Sequence, residues 1–157
     1  MTYEAFKDWF FVKKAALAIP GDCSPQEPVF FRTPRNWTLN WVLLFDDSAY
    51  IRIHEHYSAP HARAGRRIQF AMHYGPIVKR GETGAIEYDR GDPVIIRIDT
   101  FPEPVHLHLR SDQPHLSQET IEGLDLVSIG VFDFVARIFD HRQSARSIED
   151  LFGFRIT

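Results

Sequence analysis

The sequence predicts an α+β domain, a mainly antiparallel β-sheet with one face covered by a long C-terminal helix. Three observations predict it. Runs in the middle of the chain alternate apolar and polar side chains, the period-two mark of a half-buried strand. Turn-forming segments such as Asp46-Asp47-Ser48 and Gly75-Pro76 separate those runs. From about residue 124 the period changes, with Val127, Val131, Phe134, Val135 and Ile138 at helical spacing. At 157 residues the chain can bury one ordinary core, so 1–157 reads as a single domain.

In chain order, Tyr3, Phe6, Phe10 and Leu17 mark a helical stripe that stops at Pro20-Gly21, although Phe10, Phe11 and Val12 would also suit an edge strand. Residues 21–28 form a connector, and Pro34 breaks 32–36. Residues 37–45 and 49–57 read as a hairpin about Asp46-Asp47-Ser48. A loop over 58–65 with Pro60 and His61 leads into a strand over 66–74. Residues 77–92 are a polar, glycine-containing excursion, and 94–100 return to a strand. Pro102 and Pro104 impose an extended bend before the strand over 105–110. Near the end, Ser147 opens a short turn that carries Phe152 and Phe154 into the core.

Two His-x-His pairs, His54-Glu55-His56 and His106-Leu107-His108, fall inside these strands. Residues two apart on a strand share a face, so each pair presents two imidazoles side by side. Arg52 joins the first pair and Arg110 the second, while Gln69 and His73 face away from Ile68, Phe70, Met72 and Tyr74. One sheet face is therefore oily and the other rich in histidine and arginine.

A hydrophobic share of 44% with 25% charged residues fits a globular domain. A net charge of -3 excludes a globally basic nucleic-acid binder, so an anionic ligand must meet a local patch. The single cysteine, Cys23, excludes an internal disulfide and fits a cytoplasmic location. Glu4, Lys7, Asp8, Lys13 and Lys14 interrupt the apolar amino terminus, which argues against a secretory segment and a membrane span, and no membrane partner is expected. Thirteen phenylalanines suggest an unusually aromatic core or a partner surface, and a homodimer is a natural way to hide the excess.

Arg52-Ile53-His54-Glu55-His56-Tyr57, the step Arg97-Ile98-Asp99, the following Thr100-Phe101-Pro102 and the histidines His106 and His108 stand in a suggestive order. Over about residues 49–139 this order resembles the toxin component of the TumE family of bacterial toxin-antitoxin systems. In that family the strand ends in Arg-Tyr-Asp; here Ile98 replaces the aromatic. The resemblance implies a toxin with RNA as its target and an antitoxin protein as its partner.

Metal-independent RNA cleavage needs a base for the 2′-hydroxyl proton, an acid for the leaving oxygen and a cation for the phosphorane. His54, His56, His106 and His108 are the candidate base and acid, and Asp99 can orient one of them. Arg52, Arg97 and Arg110, with His73, are the candidate phosphate contacts. This scheme calls for no cofactor or metal ion. A second reading places Zn or Fe on the four paired histidines, or on three of them with Asp99 or Glu55. A third is a non-enzymatic interaction module, favoured if Trp9, Phe10 and Phe11 are exposed. The plain alternatives are a solvated strand face for the histidines and a structural ion pair for Arg97 and Asp99.

Overall fold

A computed structural model describes residues 1–59, 65–101, 103–111 and 114–157. Pro60 and His61 of the predicted loop, and Pro102 of the predicted bend, lie outside the described residues. The central sheet is antiparallel throughout. Its strands are β1 (Cys23–Pro25), β2 (Val29–Arg32), β3 (Asn36–Phe45), β4 (Ala49–Ser58), β5 (Arg66–Pro76), β6 (Ile96–Asp99), β7 (His106–Leu109) and β8 (Leu116–Ser117). From β3 to β8 the spatial order is the chain order, and β1 and β2 both pair with the outer edge of β3. The β3–β4 hairpin turns at Asp46-Asp47-Ser48, where Ser48 adopts φ 65°. A small second ladder joins β9 (Ile121–Glu122) to β10 (Arg155–Ile156).

The pleat separates the faces as the alternation predicts. Leu39, Trp41 and Leu43 of β3, Ile51 and Ile53 of β4, and Ile96 and Ile98 of β6 are all buried on one side. Glu55 is the charged exception on that side, 1% exposed and held by the Arg67 guanidinium at 2.8 Å. A register shift between His56 and Tyr57 opposes Gln69 to His56 and Arg67 to Tyr57, which leaves Ile68 unpaired and exposed where the alternation had placed it on the oily face.

The cover over the oily face differs from the prediction. Among the described residues there is no long C-terminal helix; three short helices share the task, α1 (Tyr3–Ala16), α2 (Val131–Gln143) and α3 (Ile148–Phe152). The expected helical start near residue 124 is replaced by a turn, in which the Asp125 carboxylate accepts from the Val127 amide and the Ser128 hydroxyl. The helix begins only after Gly130 and ends at Ser144, whose backbone is extended. At 13 residues it is about 20 Å long, too short to cover the sheet alone.

Helix α1 fills the remaining area. The Thr2 hydroxyl caps it by accepting from the Ala5 amide, and Glu4 and Lys13-Lys14 complement its dipole. Its buried Phe6 and Phe10 pack on Trp37, Trp41 and Phe132. Phe10 is therefore core, while Phe11 is exposed and Trp9 partly so. The phenylalanine surplus is largely absorbed here: Phe6, Phe10, Phe134 and Phe152 are each at most 1% exposed. No helix is long and apolar enough to cross a membrane among the described residues.

Candidate functional site

On the open face, strand register assembles two rows of side chains across the sheet. His54 pairs with Ala71, Ala71 with Asp99, and Asp99 with His106. One step along, Arg52 pairs with His73, His73 with Arg97, and Arg97 with His108. Directly opposed residues on an antiparallel pair share a face, so each row is a line of touching neighbours.

Over these rows lies a pocket of about 270 Å³. Ala71 makes room for it, because it is the small residue between His54 and Asp99. Arg52, His54, His73, Arg97 and Asp99 line it from the sheet, and Asp89, Arg90 and Phe101 from the segments flanking β6. The excursion over 77–95 is pinned by Asp92, which is 5% exposed. Its carboxylate accepts from the Tyr50 hydroxyl at 2.9 Å, the Asp89 amide at 3.1 Å and the Arg80 guanidinium. Burial works to raise the Asp92 carboxyl, but these donors hold it below its ordinary value.

Three arginines and two aspartates line the pocket, a formal surplus of one positive charge. Arg90 and Arg97 both lean on the Asp99 carboxylate, at 3.2 Å and 3.5 Å, so the structural pair expected of Arg97 and Asp99 is present as a three-membered group. Arg52 has no acidic partner among the described residues; its guanidinium sits 5.9 Å from the Tyr88 ring. Two of the pocket's histidines are shifted toward the neutral form. Burial, then Arg97, pushes His73 down to about 4, and its ring stacks on Tyr50 at 5.0 Å. Burial, then Arg52, also lowers His54. His54 donates Nδ1–H to the Asn40 side-chain oxygen at 2.9 Å, which leaves the lone pair on Nε2.

The second histidine pair has different company. His106 pairs with Ser117 and Leu107 with Leu116, and continuing that register places His115 opposite His108. The ring centroids lie 4.0 Å apart for His108 and His115, 4.8 Å for His106 and His108, and 4.9 Å for His106 and His115. His106 donates Nδ1–H to the Pro104 carbonyl at 3.0 Å, and its buried Nε2 has no partner among the described residues. Leaving such an atom unmatched costs roughly 1–3 kcal/mol. Arg97 donates to His108 Nε2 at 3.3 Å. Burial first, then Arg97 and the neighbouring imidazoles, push His108 down to about 3.

The fold thus brings Arg52, His54, His73, Arg97 and Asp99 into one pocket, and sets His106 and His108 beside it on the next strand. His56 does not line the pocket. Arg110 leaves the face altogether: its backbone turns left-handed at φ 55° and its guanidinium pairs with Glu149 of α3 at 2.8 Å. The two His-x-His pairs cannot hold one ion, because three strand spacings, about 14 Å, separate His54 from His106. Tyr50, Arg90, Phe101 and His115 are site residues that the sequence reading did not single out. His115 could have been found had Leu116-Ser117 been recognised as a strand partner of His106-Leu107.

Comparison with protein-family models, with curated proteins and with solved structures finds no match to this chain.

Proposed function

We propose that the open sheet face binds RNA and that its pocket receives one phosphate group. Arg52 carries the reading: it is a cation at a pocket wall with no acidic partner among the described residues, so a phosphate there replaces water and not an existing ion pair. Phe101 supports it, being 55% exposed at the rim with the Arg90 guanidinium 4.5 Å over its ring, an arrangement on which an unpaired base can stack. The resemblance to TumE toxins agrees with RNA as the target, with an antitoxin as the partner that would restrain it. A second copy of the chain would meet it most readily along β2, where Val29 and Phe31 are exposed.

His54 and His73 are both displaced toward the neutral form, which provides a base or a hydrogen-bond donor but no general acid.

Fluorescence anisotropy with a labelled single-stranded RNA tests the proposal. Arg52→Gln should weaken binding about tenfold and flatten the dependence of log K on log salt by about 0.7, the share of one phosphate. Equal affinity and equal salt dependence in wild type and Arg52→Gln would remove the phosphate from this pocket.

A further inference from the structure

His106, His108 and His115 form a second site beside the pocket, and we infer that it binds a divalent first-row metal ion, Zn²⁺ foremost. Each offers a ring nitrogen, and the three nitrogens lie within 4.8 Å of one another. Imidazole nitrogens around a tetrahedral zinc stand about 3.4 Å apart for bonds of 2.0–2.1 Å. His115 is the exposed member of the three, so its side chain is the one with room to adjust toward that spacing.

His106 is the independent sign of a ligand. It is 6% exposed, and its Nδ1–H is committed to the Pro104 carbonyl. That is the outer hydrogen bond which fixes a metal-binding histidine in the tautomer with a free Nε2. Nε2 is the atom left buried without a partner. A stable fold gains nothing from burying a lone pair without a partner, and an ion bound there satisfies it.

Arg97 marks the same position with a different cation. Its guanidinium has only donors, so the 3.3 Å contact assigns the lone pair of His108 to Nε2. A metal ion takes that lone pair in place of Arg97, which then retains Asp99 at 3.5 Å and the Arg90 carbonyl. Three imidazoles with His115 on the solvent side leave a fourth position for water, the donor set of an open zinc site. The site shares Arg97 with the pocket but does not depend on the RNA reading.

The test is a zinc titration of chelator-stripped protein against a chromophoric competitor, with Co²⁺ absorption as a report of tetrahedral geometry. Wild type should bind one equivalent, and His115→Ala, a change at an exposed position, should bind at least tenfold more weakly. His141→Ala alters a histidine on α2 whose Nδ1 donates to the Arg146 carbonyl, and it should match wild type. Absence of one-equivalent binding in wild type, or equal affinity in His115→Ala, overturns the inference.

Discussion

His54-Glu55-His56 and His106-Leu107-His108 have the same spacing, lie on strands of one sheet and turn both imidazoles to the same face, yet their surroundings share almost nothing. The first pair stands between β3 and β5, where His54 meets Asn40 and Ala71 and borders an open pocket. The second stands between β6 and β8, where Asp99, Arg97 and His115 crowd it into a packed cluster. Spacing along a strand sets the face of a side chain; register with the neighbouring strands sets its company. Their middle residues differ as well, since Glu55 and Leu107 are both buried on the core side but only one is charged.

That last difference is the most costly to break. Burial pushes the Glu55 carboxyl up, and the hydrogen bonds from Arg67 and Tyr57 pull it back. Arg67→Ala should strip the pair of its cation and destabilise the fold by roughly 3–5 kcal/mol in urea unfolding. Glu55→Gln added to Arg67→Ala should recover part of that loss, because the uncompensated charge is gone. A loss below about 1 kcal/mol in the single variant would mean that Glu55 is already neutral in the fold.

Between the two pairs lies His73, which sharpens the contrast through pH. Arg52 and Tyr50 face it from β4, Arg97 from β6 and Asp92 from the covering loop. Its folded value of about 4 lies below the unfolded 6.5, so above pH 6.5 it is neutral in both states. As pH falls from 6.5 toward 4 the unfolded chain takes the proton first, and stability declines by at most roughly 3 kcal/mol. His54 and His108 act in the same direction. His73→Gln should therefore lose less stability than wild type between pH 7 and pH 4.5 in matched urea titrations. Parallel losses in the two proteins would place the acid sensitivity elsewhere.

The contrast also shows where sequence is informative. The hairpin over 37–57, the strand entering at residue 66 and the identity of the polar face were legible, because hydrophobic alternation is a local signal. The helical cover was misjudged: Val127 sits at helical spacing but belongs to a turn organised by Asp125, and the phenylalanines of α1 carry load assigned to the C-terminal helix. The pocket was half legible. Its floor follows from alternation, Tyr50 of β4 included, whereas Arg90 reaches it on the long excursion pinned by Asp92, and no periodicity announces that fold-back. His115 was lost because β8 is two residues long and has too little alternation to read.

The smallest effect separates the two histidines within the first pair. His54 lines the pocket and its tautomer is held by Asn40, whereas His56 stands at the register shift and, unlike Gln69 opposite it, does not line the pocket. If the pocket is the RNA site, His54→Ala removes one hydrogen-bonding group and should lower RNA affinity several-fold, about 1 kcal/mol for a single net hydrogen bond. His56→Ala should change it by less than twofold. Identical histidines two residues apart would then differ only through what the adjacent strands bring to them. The opposite ranking would shift the working surface from the pocket toward the far ends of β4 and β5.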